Sequence, residues 1–146
     1  MYFDACFLCA TLYADALRQA ALKQFKKNNY DDRKTLVLGA STDPDRYSHL
    51  AAMRLSHSGH AIINVGLSTG NIAGVEIEMP ETVHPDIHTV TLYVGPSKQP
   101  PLYDYIIRTN PQRIIFNPGT ENEELECLAG AHGIATERAC TLVLLS

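Results

Sequence analysis

From Lys34 onward, short apolar runs alternate with longer mixed stretches, and turn residues mark each joint. Thr35-Leu36-Val37-Leu38 is an apolar run that breaks at Gly39-Ala40-Ser41, as a buried strand feeding a loop should. Asp45 to His57 then sets Leu50, Ala51, Met53 and Leu55 among polar residues, the pattern of a surface helix. Ser58-Gly59 ends it, with Gly59 suited to the left-handed C′ position and His57 to the last carbonyls. Ala61 to Val65 reads as a second strand running into Gly66, Gly74 to Ile77 as a short edge strand, and Thr89 to Val94 as a fourth, stopped by Gly95-Pro96. Pro100-Pro101 fits the first turn of a helix that runs through Tyr103, Ile106 and Ile107 to Asn110-Pro111. Arg113 to Phe116 is a fifth strand, followed by Asn117-Pro118-Gly119. Thr120-x-x-Glu123 has capping-box spacing for a helix reaching His132-Gly133, and Ile134 to Ala139 makes the last strand. Nearly continuous apolar strands alternating with helices predict an α/β fold, a doubly wound, mostly parallel sheet covered on both faces.

The first 33 residues fall outside that alternation. Phe3, Phe7, Ala10, Ala14, Leu17 and Ala21 lie near helical spacing and predict an amphipathic helix, followed by the polar linker KQFKKNNYDDRK. Asp4 and Asp15 interrupt the apolar run, and no basic segment precedes it, so neither a signal peptide nor a membrane span is expected. Cys6-x-x-Cys9 has the spacing of a metal knuckle or a redox pair, but no second such pair supplies further ligands, and two small residues on a helix is the better reading. The chain therefore divides into an N-terminal helix and linker, 1–33, and a compact domain, 34–146.

Composition narrows the function classes. The chain has 146 residues, enough for one domain with a real core, and a net charge of −4 that argues against a nucleic-acid surface. A small anionic ligand stays compatible with that sign, because backbone N–H groups and one or two arginines can hold it. Four cysteines, Cys6, Cys9, Cys127 and Cys140, are too few and too unevenly spread for a secreted disulfide scaffold, so a reducing cytoplasm is expected.

In an open parallel sheet, ligands bind beyond the carboxyl ends of the strands, near the point where strand order reverses. The segments there are Gly39 to Arg46, Gly66-Leu67-Ser68, Gly95-Pro96-Ser97, Asn117-Pro118-Gly119 and Cys140. Four of the five join Gly or Pro to a hydrogen-bonding side chain, which lets backbone approach a ligand. The first is not a dinucleotide fingerprint, since Ser41 and Pro44 stand where the second and third glycines belong, and no G-K-[ST] makes it a P-loop. It keeps one tight-turn glycine, the Ser41 and Thr42 hydroxyls, and Arg46 near the helix start: phosphate-binding ingredients without the geometry for NAD.

V-L-G-A-S-x-x-P-x-R-Y-S (through Tyr47 and Ser48), N-V-G-L, Y-V-G-P and I-F-N-P-G-T-E-N, in this order and spacing, closely resemble the CoA-binding protein family. These are small Rossmann-like proteins related in fold to the CoA-binding domain of the succinyl-CoA synthetase alpha subunit, and the resemblance spans about Lys34 to Leu145. It implies a strand order 3-2-1-4-5-6 and coenzyme A or an acyl-CoA as ligand. Gly39, Ala40, Ser41 and Arg46 would hold the phosphates, with Thr42, Tyr47 and Ser48 beside them. Val65, Gly66 and Leu67 would border the adenosine, Tyr93, Val94, Gly95 and Pro96 the opposite wall, and Asn117, Pro118 and Gly119 the pantetheine side. Cys140 would lie at the ligand edge. The second loop reads V-G-L where many relatives have V-N-P, and the N-terminal helix lies outside the family pattern.

Catalysis requires a nucleophile or base with an orienting partner. The candidates are Cys140, His49, His84, His88, His132 and Asp43; Pro85 prevents His84 and His88 from sharing one helical face. No triad or metal cluster is evident, so the expectation is a non-catalytic CoA or acyl-CoA binding protein without metal, nucleic-acid or membrane partners. The alternatives are an NAD(P)-linked oxidoreductase and a CoA-transferase or ligase subunit that needs a partner chain; a homodimer or an unidentified protein partner stays open.

Overall fold

The computed structural model describes Ala16, Leu17 and residues 33–146. The expected N-terminal amphipathic helix and the Cys6-x-x-Cys9 pair lie outside the described residues, apart from Ala16 and Leu17, which are helical. The chain divides into two units, Met1–Asp32 and Arg33–Ser146, and the second is the fold that follows.

Its elements run β1 (Lys34–Leu38), α1 (Tyr47–His57), β2 (Ile62–Val65), β3 (Asn71–Ile72), β4 (Val75–Glu78), β5 (Ile87–Leu92), two 3₁₀ turns (Pro96–Lys98 and Pro100–Leu102), α2 (Tyr103–Thr109), β6 (Arg113–Phe116), α3 (Glu123–Ala131), β7 (Ala135–Arg138) and α4 (Thr141–Leu144). They form one seven-stranded sheet in the order β3-β4-β2-β1-β5-β6-β7. All neighbours are parallel except β3 and β4. The six expected strands thus follow the order 3-2-1-4-5-6, with one short antiparallel strand added at the edge. The order reverses at β1, which lies between β2 and β5.

Alternation along each strand sends side chains to two unequal layers. On one face Leu36, Leu38, Val90, Leu92, Ile114 and Phe116 pack with Tyr105 and Ile106 of α2 and Leu125 and Ala129 of α3. Fully burying a side chain such as Phe116 contributes about 1.5–3 kcal/mol, and this face holds most of the large ones. The other face is smaller: Val37 and Ile62 meet Ala52 and Leu55 of α1. Polar residues share that face, and Asn64, fully buried, donates from Nδ2 to the Ile72 and Val75 carbonyls at 3.3 and 3.1 Å, tying the edge hairpin to β2.

Three local expectations are corrected. The helix α3 is capped by Asn122, whose side chain accepts from the Glu124 and Leu125 amides, so the box does not start at Thr120. Thr120 Oγ1 instead donates to the Asn117 carbonyl at 2.8 Å. The last strand is not a buried one: all four residues of β7 are exposed, because it is the sheet edge. The fourth strand starts at Ile87, just after Asp86 at φ +61°, and ends at Leu92, which leaves Tyr93 and Val94 in the loop.

Candidate functional site at the carboxyl edge of the sheet

The loops that follow β1, β2, β5, β6 and β7 are linked in a row along one edge. Gly39 sits at φ +96°, and a Cβ there would lie 3.0 Å from Val94 Cγ2 and 3.1 Å from the Tyr93 carbonyl carbon. Only glycine serves both the backbone angle and the contact, so the first loop and the β5 loop are pressed together. Gly66 makes the matching contact on the other side: a Cβ there would be 2.4 Å from the Ala40 carbonyl oxygen. The Gly39 and Ala40 amides both donate to the Val65 carbonyl, at 2.8 and 2.9 Å. Tyr93 N–H donates to the Leu38 carbonyl at 2.8 Å and closes the β1–β5 joint.

Two buried amide side chains continue the row. Asn117, 2% exposed, donates from Nδ2 to Thr91 Oγ1 at 2.8 Å and to the Leu92 carbonyl at 2.9 Å, and its Oδ1 accepts from the Thr141 amide at 2.9 Å. Both donors are committed to protein, so the side chain clamps the ends of β5 and β6 to the start of α4. Gln99, fully buried, donates from Nε2 to the Val94 and Thr120 carbonyls at 2.8 Å each and accepts from Asn122 at 2.8 Å. It fastens the β5 loop to the β6 loop. Sequence reasoning missed Gln99 because a glutamine between two turn-forming segments reads as a surface residue; only its burial reveals the role.

What the edge offers a ligand is mainly backbone donors. The Ser41 and Thr42 amides have no acceptor among the described residues. The Tyr47, Ser48 and His49 amides open α1 equally free, because the N-cap residue, Arg46, makes no side-chain cap. Five N–H groups without an acceptor thus lie along this loop and the positive end of an eleven-residue helix, donors of the kind an anion favours. Ser41 Oγ accepts from the Asp43 amide at 3.2 Å and shapes the turn. Arg46, 72% exposed, lies 3.9 Å from Asp43 and is free to turn toward a ligand.

The remaining expected residues divide by exposure. Ala40, Ser48, Val65 and Gly66 are buried, so they shape the loops from behind. Thr42, Tyr47, Leu67, Pro96, Pro118 and Gly119 are exposed along the rim, and Val94, Gly95 and Cys140 are half-buried. Gly119 N–H donates to the Glu121 carboxylate at 2.9 Å. The Tyr93 hydroxyl is buried. The Thr91 and Thr141 hydroxyls near it bond each other at 2.7 Å. Burial raises the Tyr93 phenol above its ordinary value; those two hydroxyls oppose the shift, and the neighbouring Cys140 thiol adds to it.

The catalytic candidates are dispersed. His49 Nδ1 lies 3.0 Å from the Ser41 carbonyl, His132 Nδ1 3.0 Å from the Leu128 carbonyl, His84 Nε2 2.6 Å from Glu78, and His88 Nδ1 2.7 Å from Thr89 Oγ1. The Asp43 carboxylate accepts from the Asp45 amide at 3.0 Å. Among the described residues no group of three or more His, Cys, Asp or Glu side chains could hold a metal ion. None of their helices is long and apolar enough to cross a membrane.

The sequence model of a family described as a CoA binding domain matches residues 33–146, the whole of the described domain. The chain belongs to that family. Among solved structures, a crystal structure of an uncharacterized protein is 47% identical, with a TM-score of 0.76 over 77% of this chain and 93% of that one. A protein designated cell-free ID.343, from Thermus thermophilus, is 20% identical, with a TM-score of 0.69 over 90% of this chain and 95% of that one. The dinucleotide-forming acetyl-coenzyme A synthetase 1 of Ca. Korarchaeum cryptofilum, solved with phosphate and ADP, is 16% identical, with a TM-score of 0.61 over 75% of this chain and 26% of that one. The last two likenesses concern the fold alone. No curated protein matches the chain. The sheet described above is thus the fold shared with these structures.

Proposed function

We propose that the domain binds coenzyme A or an acyl-CoA along this edge and performs no catalytic step of its own. The observation that carries the reading is the set of free amides at Ser41, Thr42 and the first turn of α1, in a chain of the CoA binding domain family. Gly39, Ala40, Ser41 and Arg46 would hold the phosphates, mostly through backbone, with Arg46 swinging in from solvent. Leu67 on the rim, with Val65 and Gly66 behind it, would border the adenosine. Tyr93, Val94, Gly95 and Pro96 would form the opposite wall. The pantetheine arm would pass Asn117, Pro118 and Gly119 toward Cys140. A reducing cytoplasm is the proposed compartment, on cysteine usage, and residues 1–33 are proposed as an appendage to the binding domain.

A ligand that binds only the folded state raises the melting temperature by an amount that grows with the logarithm of its concentration over Kd. CoA should therefore raise Tm more than NAD or NADP at equal concentration. Stronger stabilisation by NAD would overturn the assignment in favour of a dinucleotide.

A further inference from the structure

We propose that His49 is a positioning residue that turns the Thr42 amide toward the phosphate of a bound ligand; this rests on the CoA reading above. His49 is half-buried, the third residue of α1, and its Nδ1 lies 3.0 Å from the Ser41 carbonyl oxygen. A carbonyl oxygen only accepts, so Nδ1 carries the proton and donates. No other donor among the described residues reaches the Ser41 carbonyl.

The consequence follows from peptide geometry. In a planar trans peptide the C=O and the N–H point in opposite directions. With the Ser41 carbonyl held by the His49 imidazole, the Thr42 N–H points away from that ring. The preceding peptide is fixed similarly: the Ala40 carbonyl is pressed against Gly66 and accepts from Ser68 Oγ at 3.5 Å, so the Ser41 N–H points the other way. Two consecutive donors are thereby left free, each by a bond on the far side of its own peptide. The two restraints differ in strength. Backbone packing holds the Ala40 peptide, whereas a single side chain holds the Ser41–Thr42 peptide. Without the imidazole that peptide can rotate, and a rotated peptide presents a carbonyl oxygen to an anion, replacing attraction by repulsion.

Asparagine places its Nδ2 on Cγ, where histidine carries Nδ1, so His49→Asn keeps the donor, whereas His49→Phe keeps the ring and loses it. Calorimetry should show CoA affinity reduced on the order of tenfold in His49→Phe and restored to within about threefold of the parent in His49→Asn. In parallel, inorganic pyrophosphate should shift the Ser41 and Thr42 amide resonances of the parent and His49→Asn proteins, with the Thr42 shift lost in His49→Phe. Unchanged affinity in His49→Phe, or equal losses in both variants, overturns the proposal. Should the Phe variant fail to fold, His49→Ala is scored by the same criteria. A parent protein that binds no CoA refutes the CoA reading, yet the pyrophosphate shifts still decide the role of His49. Absence of any Thr42 shift in the parent overturns that role.

Discussion

Gly66→Ala adds one methyl group at the tightest joint of the site. Its Cβ would lie 2.4 Å from the Ala40 oxygen, 3.2 Å from the Ala40 nitrogen and 3.3 Å from its carbonyl carbon. Real Cβ atoms essentially never come closer than 3.0 Å to another heavy atom, so the two loops must part by at least about 0.6 Å. The clashing atoms are backbone and cannot rotate away. Separation also stretches the paired bonds from the Gly39 and Ala40 amides to the Val65 carbonyl, now 2.8 and 2.9 Å. Overpacking of this kind costs about 1–3 kcal/mol and each weakened bond up to about 1 kcal/mol, so a loss of roughly 2–4 kcal/mol is expected. For a domain of this size that lowers Tm by about 10 °C. Urea denaturation and calorimetry measure it directly, and CoA affinity should fall as well, because the displaced Ala40 belongs to the proposed phosphate loop. A Tm within about 2 °C of the parent would refute the reasoning.

Gly130→Ala is the converse case: its Cβ would meet nothing within 4 Å, inside α3, and the variant should gain about 0.5–1 kcal/mol by thermal or urea unfolding. Arg46→Ala removes the proposed charge-assisted phosphate contact at an exposed position and should weaken CoA by about 1–2 kcal/mol in calorimetry; unchanged affinity would remove Arg46 from the site. Tyr93, with its phenol raised by burial, should make stability fall as pH climbs through 10 toward the folded-state value, since the unfolded chain loses that proton first. Tyr105 adds a slope of the same sign, so Tyr93→Phe should make the alkaline decline in urea stability shallower without abolishing it; an identical slope would contradict the assignment. With CoA disulfide as reagent, the Cys140 thiolate should attack one sulfur, form a mixed disulfide and release one CoA thiolate. Peptide mapping should find the adduct at half-buried Cys140 ahead of exposed Cys127, and an adduct only at Cys127, Cys6 or Cys9 would make Cys140 a packing residue.

The strand–loop–helix unit from Lys34 to His57 was legible because it unites an apolar run, a glycine with a fixed backbone task and an amphipathic stretch, three signals that agree. The edge hairpin was not. Ala73 and Gly74 have φ of +55° and +79°, the signature of a type I′ turn between paired Ile72 and Val75. Alanine stands where asparagine or glycine usually announces that turn, so the two-residue strand β3 left no trace in the pattern. Thr120 misled for another reason. It and Asn122 are both competent N-caps, and the choice went to Asn122 because Thr120 is drawn into the Asn117 turn. At the site, the pattern singled out the loops but not the bonds between them. The resemblance puts Asn117 on the pantetheine side, and nothing in the pattern shows that its side chain also holds Thr91, Leu92 and Thr141. Gln99 and His49 act through backbone carbonyls distant in sequence, which periodicity and motif spacing do not encode.

Native mass spectrometry of freshly purified protein reads CoA occupancy of the domain. A retained or titratable adduct of one CoA per chain is expected, lost in step with the Arg46→Ala and Gly66→Ala substitutions. A protein that takes up NAD but not CoA, or an adduct indifferent to both substitutions, would contradict the CoA reading.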